Sequence, residues 1–262
     1  MKKNIFSLEN ISASYGNTSV FKNIELNIEN SELTAICGPN GSGKTTLLKI
    51  LAGLNPPSEG IVTFMDKNLE FFTGIELAEK RSYVSQHLPS DLDTSVVDIL
   101  EMGLYHSTGW FLKKSESKHI ENAVKLFNLE KIKNRIYRTL SGGEKRRVFL
   151  ARGFVQCPHV MLLDEPTVFL DIAQTEQFIE VVRKIRKQYN STIICVSHDI
   201  SMVLNNFPKI ILMGTGGKKT ISGDTSEILH KFGHSYFDIP LSISRTDDGT
   251  QFVLTGEQCR KL

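Results

Sequence analysis

The stretch that decides the fold is residues 33–51, L-T-A-I-C-G-P-N-G-S-G-K-T-T-L-L-K-I-L. Its first five residues form a mostly apolar run typical of a buried strand, and its last five carry leucine and isoleucine at helical spacing. Between them, residues 38–45 match G-x-x-x-x-G-K-[S/T] in full. Glycines let the backbone N–H groups of such a loop turn toward phosphate oxygens, and the following helix adds the positive end of its dipole. The stretch therefore predicts a binding site for a nucleoside triphosphate.

The side chains of this loop have separate expected tasks. Lys44 would reach the outer phosphates, and the hydroxyl of Thr45 would serve Mg²⁺. The motif alone does not distinguish a GTPase from a kinase or an ATPase. The candidate nucleotide-binding residues of the loop are Gly38, Pro39, Asn40, Gly41, Ser42, Gly43, Lys44, Thr45 and Thr46.

Polar side chains also end three later strand-like runs. The segment H-V-M-L-L-D-E-P places Asp164 and Glu165 after a buried strand. Asp164 could hold Mg²⁺ through its water shell, and Glu165 could take a proton from an attacking water. Gln86 and His198 end two other runs; a lone Gln or His is more often structural, but open α/β sheets bind ligands at this edge.

Strand-like and helical patterns alternate along most of the chain, which predicts an α/β fold with a mostly parallel sheet. Two strand-like runs come first, within residues 5–28, and an all-helical insertion is expected near 87–158. The tail from His234 differs, because 239–244 and 251–254 flank the turn-like segment R-T-D-D-G-T and could form a β-hairpin.

Two helices are predicted in more detail. Thr94 is placed to cap a helix that carries Val96, Val97, Leu100 and Met102. Residues 172–188 predict an amphipathic helix, with one apolar face formed by Ile172, Ile179, Val182 and Ile185. A polar loop is expected over residues 106–117.

A second helix start with glycines lies at residues 140–144, L-S-G-G-E. In chain order come Tyr15, the loop at 38–46, Gln86, this segment, the Asp-Glu pair, Leu-Asp at 170–171 and His198. With this series, residues 5–230 resemble the nucleotide-binding subunit of an ATP-binding cassette (ABC) transporter. L-S-G-G-E is the signature of that family.

The resemblance implies a P-loop NTPase (RecA-like) fold, in which a parallel sheet core carries an N-terminal antiparallel β subdomain and an inserted α-helical subdomain. Residues 1–86 and 159–233 would form the ATP-binding core with its β subdomain. Residues 87–158 would form the helical signature subdomain. Residues 234–262 would be a C-terminal extension.

The resemblance also implies the roles of single residues. Tyr15 would stack on adenine, and His198 would contact the γ-phosphate. The Mg²⁺ ligands would be Thr45, Gln86 and Asp164. The catalytic residues would be Glu165 as general base, with His198, Lys44 and Gln86. The ATP of a second subunit would be contacted in trans by Ser141, Gly142, Gly143, Glu144 and Asp171.

ABC cassettes work as a head-to-tail pair that closes around two ATP molecules, which implies a second copy as partner. The other implied partners are membrane permease subunits and, indirectly, a substrate-binding protein. The expected location is therefore the cytoplasmic face of the membrane, as a peripheral subunit. A net charge of +2 gives no general reason to expect nucleic acid as a partner.

The sequence departs from the family pattern in two places. The loop before Asp171 is usually rich in small residues, whereas here it has Val168 and Phe169, which would alter packing at the seam of the pair. After the signature, Gly153 stands where the family prefers alanine. Because glycine inside a helix costs about 1 kcal/mol, that helix is either less rigid or closely packed at this point.

The cargo is predicted from residues 98–111, D-I-L-E-M-G-L-Y-H-S-T-G-W-F, which look like the stretch found in importers of metal ions and metal chelates. One basic residue of the usual M-G-R-Y is missing. Alternatively, Trp110 and Phe111 simply fill the helical subdomain. Exporter cassettes, cassettes of other importers and non-transport ABC proteins remain as alternatives.

The cysteines give no sign of a zinc or redox site, and the hydropathy pattern gives no sign of a signal peptide or a membrane span. Cys37, Cys157, Cys195 and Cys259 form no C-x-x-C pair, so neither a zinc site nor a redox motif is indicated, and scattered thiols fit a reducing cytosol. The N-terminus lacks the apolar stretch of a signal peptide, and no run approaches the ~18 apolar residues of a membrane span.

Overall fold

A computed structural model describes residues 3–105, 114–237, 241–246 and 249–255. The chain divides into two compact units, one formed by Met1–Phe71 with Ile194–Leu262 and the other by Phe72–Ile193. Most of the loop predicted at 106–117, with Trp110 and Phe111, lies outside the described residues, as does Cys259.

The elements alternate between strand and helix through the middle of the chain. In chain order they are β1 Asn4–Tyr15, β2 Thr18–Glu29, β3 Leu33–Cys37, α1 Lys44–Leu51, β4 Glu59–Phe64, β5 Lys67–Asn68, α2 Gly74–Lys80, β6 Ser82–Val84, α3 Val96–Glu101, α4 Lys114–Leu126, α5 Gly142–Gln156, β7 Val160–Asp164, α6 Ile172–Tyr189, β8 Thr192–Val196, α7 Ile200–Asn206, β9 Lys209–Leu212, β10 Ile221–Asp224, α8 Thr225–Phe237, β11 Leu241–Arg245 and β12 Gln251–Thr255. Among the described helices, none is long and apolar enough to cross a membrane.

The first unit contains an antiparallel sheet in the order β2-β1-β4-β5. Buried and exposed side chains mix along β1 and alternate along much of β2, as in a sheet with one face in the core. On the buried side, Phe6 of β1 stacks on Phe64 of β4 with ring centroids 4.7 Å apart. The two strand-like runs predicted within residues 5–28 are therefore confirmed.

The same unit contains a second group of strands in the order β10-β9-β3-β8, of which β8 contributes its residues from Ile194 onward. All five residues of β3 are buried, and β3 runs parallel to β9 with Ala35 opposite Ile210. Strands buried on both faces read as continuous apolar runs, which is the pattern that predicted them. In the tail, β11 and β12 pair antiparallel, with Leu241 opposite Thr255.

The second unit carries two parallel strands and the helices around them. Tyr83 of β6 lies opposite Leu162 of β7, and β7 also neighbours the first residues of β8, with Thr192 N–H donating to His159 O at 2.8 Å. Between β6 and β7 the chain forms α3, α4 and α5, so the helical insertion is present in sequence order. Gly153 of α5 is closely packed, because a Cβ there would lie 2.7 Å from Val84 Cγ2.

Two sequence expectations in this unit are wrong. The cap of α3 is Ser95, not Thr94: Ser95 Oγ accepts from Asp98 N–H at 3.3 Å, while the Thr94 hydroxyl donates to the Asp98 carboxylate. Ile172 is 86% exposed and does not share the buried face of Ile179, Val182 and Ile185. Ile172 is the first residue of α6, and the buried residues of this helix begin only at Phe178.

Candidate functional site

The glycine-rich loop joins β3 to α1 and needs its glycines. Gly38 has φ +150°, and a Cβ there would lie 2.2 Å from the Met213 carbonyl oxygen. At Gly43, with φ +92°, a Cβ would lie 2.6 Å from Val20 Cγ1. The backbone at both positions therefore lies close to neighbouring atoms in a conformation that other residues rarely adopt. A Cβ at Gly41 would meet nothing within 4 Å, so this part of the loop faces open space.

Several polar groups of the loop fit an anion. No side chain caps the start of α1 at Gly43, and the first turn carries no acidic residue. The hydroxyl of Ser42 is buried and has no hydrogen-bond partner. The Lys44 ammonium donates to the carbonyls of Gly38 and Pro39, each at 2.9 Å, so a cation lies folded over the loop. An uncapped helix start, an orphan hydroxyl and a nearby cation together suit a phosphate group.

Cys37, the residue before the loop, adds no negative charge. Burial raises the pKa of its thiol to about 12, so the group is neutral at physiological pH. The other described cysteines, Cys157 and Cys195, are buried as well. Among the described residues, no group of three or more His, Cys, Asp or Glu side chains is placed to hold a metal ion.

Tyr15 is the last residue of β1 and is 56% exposed. Its hydroxyl lies 3.5 Å from Thr46 Oγ1, at the start of α1, and accepts from Asn55 Nδ2 at 3.2 Å. The hydroxyl therefore holds Tyr15 beside the loop, while more than half of the residue is exposed, as a base-stacking residue requires.

His198 follows β8 in the same unit and is exposed. The preceding residue, Ser197, donates its N–H to Ile36 O at 3.1 Å, so β8 ends beside the strand that feeds the loop. Asp199 then caps α7 by accepting from Met202 N–H at 2.8 Å. His198 thus lies between the sheet and a helix, at the carboxyl edge of the strands.

In the second unit, β7 ends in the carboxylates predicted from the sequence. Asp164 is 1% exposed, and its Oδ2 accepts from the Tyr83 hydroxyl at 3.2 Å. Burial, followed by the charge of Asp164, raises the pKa of Tyr83, which keeps the phenol a donor. Glu165 Oε2 accepts from Gln86 Nε2 at 2.8 Å, which brings two of the predicted catalytic residues together.

The signature segment forms the exposed start of α5. Ser141 Oγ accepts from Glu144 N–H at 3.3 Å, while Glu144 Oε2 accepts from Ser141 N–H at 2.8 Å, which is a capping box. That amide lowers the pKa of Glu144, together with the Ser141 hydroxyl and Arg135. Ser141 and Gly142 are exposed, whereas Gly143 is buried because a Cβ there would lie 2.4 Å from Gln174 Oε1.

The loop before α6 lies against this helix start. Asp171 caps α6, accepting from Gln174 N–H at 2.8 Å. Phe169 has φ +68° and is 81% exposed, and a Cβ at Gly142 would lie 3.8 Å from its Cβ. A bulky residue in the left-handed region is uncommon, so the sequence departure seen at Phe169 coincides with a strained backbone.

Comparison with known proteins identifies the family. The family model described as "ABC transporter" matches residues 21–168, more than half of the chain. The petrobactin import ATP-binding protein FpuC of Bacillus anthracis is 32% identical, with 85% of this chain and 82% of FpuC covered. The zinc uptake ATP-binding protein ZnuC of Bacillus subtilis (strain 168) is also 32% identical, with 82% of this chain and 93% of ZnuC covered.

The chain belongs to the ABC transporter family. It is the ATP-binding subunit type of that family, whose members are ATPases that drive transport. Solved structures agree on the fold. A chain described as a metal-chelate type ABC transporter superposes with a TM-score of 0.82 at 23% identity, covering 97% of each chain. The MJ0796 cassette, described as dimeric, superposes with a TM-score of 0.74 at 26% identity, covering 84% of this chain and 98% of MJ0796. The predicted P-loop NTPase fold class is confirmed.

Arg146 is a residue of this ABC cassette that the sequence did not single out. Its side chain is 1% exposed and extends from α5 to backbone carbonyls. Nε donates to Pro166 O at 3.0 Å, Nη1 to Ser85 O at 2.7 Å and to Gln86 O at 3.2 Å, and Nη2 to Asp164 O at 3.0 Å and to Glu165 O. One guanidinium therefore fixes the backbone of three candidate residues. In the run K-R-R after L-S-G-G-E, nothing in the sequence indicates that Arg146 has this role.

Proposed function

We propose that this ABC cassette hydrolyses MgATP as one half of a pair and thereby drives import of a metal ion or metal chelate through a membrane permease. The observation that carries the proposal is the loop at 38–46, with its uncapped helix start and the orphan hydroxyl of Ser42. Relatives covering most of the chain are named as petrobactin and zinc uptake proteins, which supports the cargo class.

In the proposed site, ATP binds to the first unit. The N–H groups of the loop and the start of α1 would bind the phosphates, and Lys44 would exchange the carbonyls of Gly38 and Pro39 for phosphate oxygens. Tyr15 would stack on the adenine and is already anchored through its hydroxyl. His198, at the same sheet edge, would contact the γ-phosphate.

The metal and the water are assigned to named side chains as well. Thr45, Gln86 and Asp164 offer hydroxyl, amide and carboxylate oxygens, which are the ligands that Mg²⁺ prefers. Bound Mg²⁺ would neutralise charge that develops on the phosphates. Glu165 would take the proton of the attacking water, and the bond from Gln86 Nε2 orients its carboxylate for that purpose.

The signature segment is proposed to serve a second copy of the chain. Ser141 and Gly142 are exposed at a helix start, which suits a γ-phosphate presented by the partner. Gly143, Glu144 and Asp171 are proposed to line the same contact. The MJ0796 cassette is described as dimeric, and its fold is shared with this chain, which supports a paired arrangement.

The proposed location is the cytoplasmic face of the membrane, where the pair would contact permease subunits and, through them, a substrate-binding protein. An exporter cassette or a cassette for another cargo is the alternative, since an ATPase subunit need not touch the cargo. Purification of the chain from native membranes, with identification of the co-purifying proteins, separates these possibilities. Recovery of an exporter's membrane subunit would overturn the import assignment.

The hydrolytic role is tested by Glu165→Gln. The variant should bind ATP, hydrolyse it at least a hundredfold more slowly, and accumulate as an ATP-bound dimer in size-exclusion chromatography. Glu176→Gln, the same change at an exposed position of α6, is the matched control and should hydrolyse ATP at the wild-type rate. Wild-type turnover by Glu165→Gln would show that Glu165 is not the general base.

A further inference from the structure

One asparagine of α7, Asn205, forms two hydrogen bonds to the C-terminal hairpin. Asn205 Nδ2 donates to Gln251 O at 2.6 Å, and Asn205 Oδ1 accepts from Gln251 N–H at 2.9 Å. The side-chain amide thus pairs with both backbone groups of the first residue of β12, as a neighbouring strand would. In addition, β12 packs against α7, and β11 packs against α8.

The other end of α7 reaches His198. This helix has seven residues, a length of about 10 Å, and helices so short are marginal without tertiary contacts. Its cap, Asp199, is the residue after His198, and Asp199 N–H donates to Ser197 Oγ at 3.1 Å. Ser197 is in turn fixed to β3 through Ile36 O. His198 therefore sits at the joint between an anchored strand and a short helix.

The position of α7 affects the position of His198, because Asp199, the cap of the helix, directly follows His198. Three residues of α7, Met202, Val203 and Leu204, are buried and fix one side of the helix. The bonds from Asn205 to the hairpin add a contact at its far end, where Phe207, the residue after the helix, is buried as well. If the hairpin is lost, α7 loses this contact, and a change in its position would reach the backbone of His198 through Asp199.

We propose that the C-terminal hairpin is a positioning element for His198 and that Asn205 is the positioning residue through which it acts. This inference rests on the proposed contact of His198 with the γ-phosphate. It gives the tail a role in the hydrolysis step rather than in nucleotide binding. Asn205 itself touches neither the nucleotide loop nor the proposed catalytic residues in any bond that the described part of the chain shows.

The test is Asn205→Leu in the full-length chain, which keeps the size of the side chain and removes both bonds to Gln251. It also removes the bond from Asn205 Nδ2 to Ser201 O within α7, at 2.8 Å. The variant should keep the wild-type Kd for ATP but lose about three- to tenfold in kcat, the range expected for one or two hydrogen bonds. Asn206→Leu is the control and should keep the wild-type kcat. It likewise removes a bond from a side-chain amide to a carbonyl of α7, because Asn206 Nδ2 donates to Met202 O. Removal of residues 238–262 should reproduce the loss in kcat.

A double-mutant cycle decides whether Asn205 acts through His198. With His198→Ala already in place, Asn205→Leu should cause no further loss in kcat, because the positioned group is gone. An undiminished loss in that background, or wild-type kcat in the Asn205→Leu single variant, would overturn the inference. Wild-type kcat in His198→Ala would instead refute the role of His198 in the proposed function, and the inference would fall with it.

Discussion

Arg146 should determine both the stability of the second unit and the geometry of the candidate catalytic residues in it. Arg146→Met keeps an apolar stem of similar length and removes five hydrogen bonds to backbone carbonyls. Each bond from a charged donor is worth about 1.5–3 kcal/mol, but the bonds share one desolvated guanidinium and are not additive. A buried acceptor left without its donor costs about 1–3 kcal/mol, so the loss of several non-additive bonds should cost about 3–5 kcal/mol in total.

That loss is large compared with a total stability of about 5–15 kcal/mol. At about 2–4 °C per kcal/mol, the thermal midpoint should fall by roughly 6–20 °C in differential scanning fluorimetry. The fraction that stays folded at about 15 °C should also turn over ATP at least tenfold more slowly, because Gln86, Asp164 and Glu165 lose the donor that holds their carbonyls. Arg146→Lys should be intermediate, since one ammonium cannot span the positions of three nitrogens.

Arg138→Met is the matched control for this prediction. The change removes one charge in the same way, but the Arg138 side chain is exposed and bonds Asp93 Oδ1 at 3.1 Å on the surface. Such a pair contributes about 0–1 kcal/mol, so the midpoint should change by only a few degrees at most. If Arg146→Met shifted the midpoint no more than Arg138→Met and kept wild-type kcat, the assignment of Arg146 as the organising residue would be refuted.

Three further predictions concern the signature helix and the loop beside it. Ser141→Arg should abolish ATPase activity while the monomer keeps its affinity for ATP in isothermal titration calorimetry; weakened binding to the monomer would place Ser141 in its own subunit's site. Phe169→Gly should raise the thermal midpoint by about 2–4 °C, since glycine adopts the left-handed conformation without the strain of about 1 kcal/mol that phenylalanine carries there. A lowered midpoint would show that the backbone at Phe169 is not strained. The pKa of Glu144 is lower in the folded chain than in the unfolded one, so its stabilisation is present above the unfolded pKa and is lost as pH falls through the folded pKa. Glu144→Gln should therefore flatten the acid side of a plot of midpoint against pH, and an unchanged slope would exclude this contribution.

The elements whose structure depends on residues close in sequence could be predicted from the sequence. The loop at 38–45, the strand that feeds it and the carboxylates after β7 are local patterns, and each lies where the sequence indicated. The cap of α3 was missed by one residue because Thr94 and Ser95 both bond the Asp98 carboxylate, and only the backbone geometry decides which hydroxyl caps the helix. Sequence spacing cannot make that distinction.

Side chains whose role depends on distant backbone could not be found in the same way. A charged residue in a helix is solvated by default, so nothing in the sequence separates Arg146, which is buried, from Arg138, which is exposed. The difference arises because α5 runs beside β6 and β7, which places Arg146 next to carbonyls 18 to 61 positions away along the chain. Those carbonyls follow strand ends, where the ladder no longer supplies donors, and a buried carbonyl needs a partner. An arginine with its fork of donors meets that need for two strand ends at once, and the backbone of Gln86, Asp164 and Glu165 is thereby fixed from α5.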